Sequence, residues 1–467
     1  MSRAAHPAGP RYADVLHGSG VPAPPADLNA LEAKVWPSSA RREEDGQITI
    51  GGVPLRRLAE EQGTPAYVID EADWRMRARA WLAAFGDHDP AEPPVHYASK
   101  AFLSKAVARW AAQEGLGLDV CSGGELATAL AAQFPAHRLT FHGNNKSSAE
   151  LVRALEAGVG RIVLDSFEEI DRLAGLAADR GLRPRVMVRV TVGVEAHTHE
   201  FIATAHEDQK FGFSLSGGLA AEAVRRVLKH DALDLVGIHS HIGSQIFDTS
   251  GFEVAAHRAV GLVAAIRDEH GIRLPELDLG GGLGIAYTSE DDPADAFDIV
   301  AGLKAIVARE CFGYGLAVPR LTVEPGRAIA GTPGITLYEV GTVKQLDGLR
   351  TYVSVDGGMS DNIRTALYDA AYTCALASRN SDAAPMLARV VGKHCESGDI
   401  VVRDTWLPSD ITAGDLLAVA ATGAYCRSMA SNYNHALRPP VVAVDGGDTR
   451  VLLRRETEVD LLALDLG

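Results

Sequence analysis

Apolar positions recur along this chain with two different periods, and the change of period divides it. From residue 95 onward, short β-branched runs alternate with Ala/Leu/Arg-rich stretches of helical spacing. The runs begin at Val95, Leu116, Leu139, Arg161, Arg185, Asp234, Leu277 and Leu321, which predicts eight strands. Ser104 to Gln113, Glu125 to Gln133 and Ser147 to Ala157 read as helices between them. The first strand starts lie 21 to 24 residues apart, one βα unit with short loops. Such alternation implies a parallel sheet, and eight repeats favour a closed (β/α)8 TIM barrel over an open doubly wound sheet.

Beyond Arg327 the period falls to two. Ile335 to Val343, Thr351 to Val355, Ala388 to Val391, Leu416 to Ala420, Val441 to Val444 and Val451 to Arg454 alternate apolar and polar residues between glycine turns. They predict a second, mostly antiparallel β domain, completed by the strand near residue 48. Leu55 to Gln62 reads as a short helix stopped by Gly63. The first forty residues hold six prolines and little periodicity, so they are expected to form a loosely ordered arm. The expected division is an arm over 1–40, a barrel over 66–325, and a β domain from 41–65 with 326–467.

With 467 residues the chain exceeds what one core usually serves, in keeping with two domains. Its net charge of −16 disfavours nucleic acid and anionic membrane as partners, though a local basic pocket for a phosphate remains open. Five cysteines without CxxC spacing argue against a disulfide framework or zinc ribbon and suit a reducing cytoplasm. No signal peptide or long apolar span is visible, so the expected location is cytoplasmic.

Chemistry in a barrel sits on the loops at the carboxyl ends of its strands, and the unusual residues gather there. Strand one runs into Lys100, strand two holds Asp119 and leads to Glu125, and strand three ends at His142. Strand six runs through His239, His241 and Ser244, strand seven into Gly280-Gly281-Gly282-Leu283-Gly284, and strand eight into Glu324-Pro325-Gly326-Arg327. A lysine desolvated in a barrel mouth has its amine pKa lowered, as a Schiff-base nucleophile needs; a surface lysine opening the next helix is the plain alternative. The glycine run with Ser244 and Arg327 can cradle a phosphate, or it is a tight turn without a ligand. Glu324 can hold a ring nitrogen in its protonated state, or pair with Arg327. His241 can stack on a planar cofactor or be a core histidine. His197, His199 and His206 form no closed ligand set, so no metal is expected. Cys395 and Glu396 juxtapose an acid and a ligand-binding carboxylate at a turn, or a buried thiol beside a solvated one. Arg364 and Tyr368, four apart, can clamp a carboxylate or make a surface pair.

The motifs YASKA, LDVCSGGEL, HGNNK, HEDQKFGF, HSHIGSQ, DLGGGLGI, EPGRAI, DGGMSDNIR, CESGD and ATGAY follow in order from about Val53 to near the C-terminus. Together they resemble the fold-type III pyridoxal-phosphate decarboxylases, and among them the branch acting on diaminopimelate, in its actinobacterial type. The resemblance implies an alanine-racemase-like barrel plus β domain, a homodimer with shared active sites, and pyridoxal 5'-phosphate as cofactor. It implies conversion of meso-2,6-diaminopimelate to L-lysine and CO2, the last step of lysine biosynthesis. By the same resemblance Lys100 would carry the cofactor, His241 stack on its ring and Glu324 pair with its nitrogen. Ser244, the Gly280, Gly281 and Gly282 turn, and the loop of Glu324, Pro325, Gly326 and Arg327 would hold its phosphate, with Tyr425 reaching cofactor and substrate. Asp119 and Glu125 would orient the Lys100 neighbourhood. Arg327, Arg364 and Tyr368 would bind substrate, while Cys395 as proton donor and Glu396 on the distal ammonium would come from the partner subunit. Phe102 and Gln245 depart from the family's usual residues, at positions that carry no chemistry. The rival readings are an ornithine or arginine decarboxylase, a non-catalytic pyridoxal-phosphate-binding protein, and a racemase.

Overall fold

The computed structural model describes residues 23–193, 210–347 and 350–467, which divide into two compact units. One unit runs from Glu71 to Pro333 and takes in Gly423 to Ser428. Its strands are β1 (His96–Ala98), β2 (Gly117–Val120), β3 (Leu139–Phe141), β4 (Arg161–Leu164), β5 (Arg185–Thr191), β6 (Asp234–Ser240), β7 (Glu276–Asp278) and β8 (Arg320–Thr322). Each bonds in parallel to the next. The ring closes where the His96 N–H donates to the Val323 carbonyl at 2.9 Å and Val95 bridges Val323. The closed barrel is therefore the observed fold, with a two-residue strand, Phe213–Ser214, added beside the end of β5.

Local chemistry sets where each strand-to-helix loop ends. Ser104, Ser122, Ser147 and Ser166 cap the helices after β1 to β4, each hydroxyl accepting the backbone N–H three residues on. A capping serine contributes about 1 kcal/mol. A glutamate at the third helical position reaches back in three of these loops: Glu125 Oε2 accepts the Cys121 N–H, Glu150 Oε2 that of Ser147, and Glu169 Oε2 that of Asp165. At the opposite rim the strand starts are tied by ions: Glu276 faces Arg161, Arg185 and Arg320, with Glu92 on the same three arginines. Polar chemistry at that rim serves the fold, which leaves the other rim for function.

The second unit joins residues up to Asp70 to Gly334–Thr422 and Met429–Gly467. Its main sheet runs Ile400–Pro408, Pro385–Val391, Arg350–Val355, Gly334–Leu346, Ala66–Asp70, Val441–Asp445 and Asp448–Leu453. Two of the pairings are parallel, Arg350–Val355 with Pro385–Val391 and Ala66–Asp70 with Val441–Asp445; the rest along that path are antiparallel. Leu416–Val419 pairs with Gly334–Leu346 and with Cys374–Leu376.

The division differs from the expected one in five places, one being Gly423–Ser428, expected in the β domain and found in the barrel unit. Ala66–Asp70 pairs with Gly334–Leu346, so the sheet unit extends to Asp70 rather than ending at 65. The barrel unit runs on to Pro333, beyond 325, through the short helix Arg327–Ala330. The strand near residue 48, Ile48–Ile50, turns through Gly51 and Gly52 at φ +58° and +76° and forms its own three-stranded sheet with Arg41–Arg42 and Val53–Pro54. Finally, the later part of the arm is packed: Val35 and Trp36 are buried, and Asn29 exchanges two hydrogen bonds with Ser381 at 3.0 Å. The earlier arm, 1–22, lies outside the described residues.

Candidate active site

Five strand ends of the barrel unit converge on one cluster of charge. Lys100 follows β1, Asp119 lies on β2, His142 follows β3, His239 lies on β6 and Glu324 follows β8. Asp119 Oδ2 is 3.6 Å from Lys100 Nζ, and its Oδ1 is 3.7 Å from His142 Nε2. The same His142 nitrogen is 2.8 Å from Glu324 Oε1, and His239 Nε2 donates to Glu324 Oε2 at 3.3 Å. The His142 and His239 rings meet edge to face, centroids 4.8 Å apart. Every member is buried except Lys100, which keeps 41% of its side chain exposed. The alternative pairing of Glu324 with Arg327 is not what forms: Glu324 faces imidazoles, and Arg327 has other partners.

These neighbours set the charges. Burial disfavours an ionised Glu324, but His142 and then His239 outweigh it and hold the carboxyl well below its usual range. Burial pulls His142 down, yet Asp119 and Glu324 more than reverse this and raise it. His239 is pushed down to about 4, chiefly by burial, and stays neutral. Burial raises Asp119. For Lys100 burial favours the neutral amine, but Asp119, Tyr425 and Glu324 together raise it above its ordinary value. The sequence predicted a lowered amine; the correction follows from the anions brought beside it by distant segments. Lys100 therefore waits as an ammonium, and its proton must be taken up elsewhere before the nitrogen can attack a carbonyl.

The glycine turn after β7 lies against β6 and β8. Gly280 and Gly282 sit at φ +72° and +89°, a region that favours glycine. A Cβ on Gly281 would lie 2.3 Å from the Glu324 carbonyl oxygen, and one on Gly282 2.2 Å from that of Gly243. The Gly281 N–H donates to His241 Nδ1 at 3.1 Å, and burial holds that imidazole neutral, well below its ordinary pKa. The Gly280 N–H donates to Asp278 Oδ1 at 2.7 Å; burial and then Glu324 push this carboxyl up to about 7.

Arg327 is buried and held as a fork. One N–H donates to the Tyr287 hydroxyl, another to Ser244 Oγ at 2.8 Å, and the guanidinium lies 4.7 Å over the Tyr425 ring. Tyr425 adopts φ +62° and donates its N–H to the Ala101 carbonyl at 2.8 Å, so this segment belongs to the barrel unit. Pro325 and Gly326 make the turn into Arg327–Ala330, where a Cβ on Gly326 would meet Ala98 at 3.0 Å. Glu125 serves the helix start, as described above, and its charge with burial raises the nearby Cys121 thiol.

The remaining candidates lie in the sheet unit. Arg364 and Tyr368 begin and end the helix Arg364–Tyr368; Arg364 is buried, with one N–H on the Tyr372 hydroxyl. Cys395 and Glu396 are both exposed, and the Cys395 N–H donates to Asn434 Oδ1 at 3.1 Å. His197, His199 and His206 lie outside the described residues. Three residues of the barrel site were given no role from the sequence: His142 and His239, noted only for their place at strand ends, and Tyr287, which was not noted. Ligand atoms of His142, His239 and Glu324 also lie within 4.8 Å of one another, a spacing metals accept.

The chemistry of this donor set fits pyridoxal phosphate. Glu324 Oε1 and Asp119 Oδ2 are buried acceptors without a hydrogen-bond donor among the described residues. A protonated ring nitrogen is the partner that the first of these lacks. Lys100 supplies the amine, His241 a neutral ring, and the glycine turn with Ser244 and Arg327 the anion-holding groups.

Known proteins point the same way. The family described as "Pyridoxal-dependent decarboxylase, pyridoxal binding domain" matches residues 71–331. A protein of Mycobacterium leprae named diaminopimelate decarboxylase is 58% identical over 472 aligned positions, 99% of each chain. One of Bacillus subtilis with the same name is 47% identical over 92% of this chain and 97% of its own. A crystal structure of diaminopimelate decarboxylase from M. jannaschii in complex with L-lysine superposes with a TM-score of 0.86, at 31% identity, over 92% of this chain and 98% of that one.

Proposed function

Since the chain belongs to the pyridoxal-dependent decarboxylases, in their diaminopimelate decarboxylase branch, we propose that it converts meso-2,6-diaminopimelate to L-lysine and CO2. The observation that carries this reading is Glu324 Oε1, a buried carboxylate oxygen with no donor of its own, in the same strand-end cluster as Lys100. When bound, pyridoxal phosphate supplies the electron sink that takes the pair left by the departing carboxylate. Glu324, ionised and backed by two imidazoles, faces the ring nitrogen and keeps it protonated. Lys100 offers its nitrogen to the cofactor aldehyde, while Asp119 orients it. The turn Gly280–Gly282, Ser244 and Arg327 would hold the phosphate, His241 would support the ring, and Tyr425 would contact cofactor and substrate.

The reading assigns substrate choice to the sheet unit. Arg364 and Tyr368 take the distal carboxylate that ornithine and arginine lack, and Glu396 takes the distal ammonium. Cys395 donates the proton that Cα needs on one face. Cys395 and Glu396 act from the partner subunit of a homodimer, which the exposure of both side chains supports. The enzyme works in the cytoplasm on this reading; all five cysteines are free thiols, and no helix among the described residues is long and apolar enough to cross a membrane.

The test is to incubate the protein with pyridoxal phosphate and meso-diaminopimelate and measure CO2 and L-lysine. Lys100→Ala should lose both turnover and the linkage that borohydride fixes to the wild-type chain. Persistence of either removes Lys100 from its role. Arg364→Ala should abolish turnover of diaminopimelate; full turnover would return the choice to the other basic amino acids.

A further inference from the structure

Asp119, His142 and Glu324 meet from three strand ends, and the reading above gives each acid its own task but the imidazole between them only a share in backing Glu324. We propose that His142 is a positioning residue for decarboxylation, its Nε2 set between the two carboxylates so that Glu324 stays aimed at the cofactor's ring nitrogen and Asp119 at Lys100. The proposal deepens the function just argued and rests on it.

The geometry carries the argument. His142 Nε2 is 2.8 Å from one acid and 3.7 Å from the other, and the ring is wedged edge to face on His239. The short contact lies off the hydrogen-bonding line, so Glu324 Oε1 receives an attracting charge while its lone pairs stay open for a donor.

Charge gives the reason for a histidine at this place. Two carboxylates in one buried space drive one another to take up a proton unless a cation intervenes. The groups that face His142 are Lys100 and His96 from the β1 side, Asp119, His239, Asp278 and Glu324, and Arg189, on β5, adds its charge to both acids. His96 and His239 are driven to about 3 and about 4, mainly by burial, and carry no charge at neutral pH. Asp278 carries a backbone bond to Gly280 and no positive charge. Lys100 is the group that leaves to serve the cofactor. His142 is the imidazole of this set whose charge the two acids uphold.

His142→Gln keeps a polar side chain but cannot become a cation. In protein loaded with pyridoxal phosphate, kcat should fall about tenfold with little change in KM, because His142 does not touch substrate. Without the cation, burial raises the Glu324 carboxyl, so it protonates at higher pH. The acidic limb of the kcat profile, and the pH-dependent absorbance of the bound cofactor, should therefore move upward by about one pH unit. Adding His142→Gln to Glu324→Gln should cost less than the product of the two single losses, since the imidazole acts in large part through that acid. A wild-type spectrum and pH profile in His142→Gln would overturn the proposal, as would multiplicative losses in the double variant. Should the glutamine variant not fold, His142→Asn carries the same comparison. A wild-type chain with no borohydride-fixed cofactor at Lys100 would instead overturn the cofactor reading, and the proposal with it.

Discussion

Gly281→Ala perturbs the site by a single methyl group whose collision can be read directly. The added Cβ would lie 2.3 Å from the Glu324 carbonyl oxygen, and real Cβ atoms keep at least 3.0 Å from backbone. The turn after β7 and the strand end carrying Glu324 must therefore part by about 0.7 Å. Gly281 is not at positive φ, so the effect is contact and not backbone strain. A retreat of that size from β8 presses the turn toward β6 and disturbs the 3.1 Å bond from the Gly281 N–H to His241 Nδ1. Overpacking of this kind costs about 1–3 kcal/mol, and each of those lowers the melting temperature of a domain this large by roughly 2–4 °C. The cofactor should feel it more sharply, because a displacement near 1 Å at a positioned site can cost about a hundredfold.

Two measurements separate these effects. Thermal melting of the cofactor-free chain reports the packing, and absorbance titration with pyridoxal phosphate reports the site. The expected result is a lowered melting temperature together with cofactor affinity reduced by at least tenfold. A lowered melting temperature with unchanged affinity would mean that the turn does not face the cofactor. No change in either would show that the turn does not lie against Glu324, and the assembly of the site described here would be wrong.

Arg327→Lys should weaken pyridoxal phosphate binding about ten- to a hundredfold in the same titration, since an ammonium cannot hold the Tyr287 and Ser244 hydroxyls as a fork; wild-type affinity would refute the clamp. Gly175→Ala, inside the helix Phe167–Ala178 with nothing beyond that helix's own backbone within 4 Å of the new methyl, should stabilise the chain by up to about 1 kcal/mol in denaturant unfolding; a loss would refute the open surroundings. Asp361 is pushed up to about 7, first by burial, and its Oδ2 accepts the Gly358 N–H at 2.9 Å. Its folded pKa is above its unfolded one, so its stabilising proton is lost and stability falls as pH rises from about 4 through 7. Asp361→Asn keeps the acceptor, and should raise stability at neutral pH and flatten that decline; equal pH dependence in both proteins would refute it.

What the chain disclosed in advance, and what it withheld, follows from the range of the interactions involved. Each barrel strand starts within a residue of its apolar run because strand and helix periods are local. Ala66–Asp70 was assigned to the wrong unit for the converse reason: AYVID is apolar enough for either sheet, and only its pairing with Gly334–Leu346, far along the chain, decides. The site divides in the same way. Lys100, Glu324 and the glycine turn stood out because residue type and strand-end position together are unusual. His142, though noted at its strand end, was given no role, because one imidazole after a strand reads as a core residue until Asp119 and Glu324 are known to flank it. The sign of the Lys100 shift failed identically, since desolvation can be guessed from a barrel mouth, but the opposing field comes from Asp119 on the next strand and from Tyr425 and Glu324 on distant segments. A chain thus announces which chemical groups it owns and roughly where its strands end. The protonation state of each group depends on contacts across the barrel, and here those contacts reverse what the local sequence implies for the amine at the centre of the reaction.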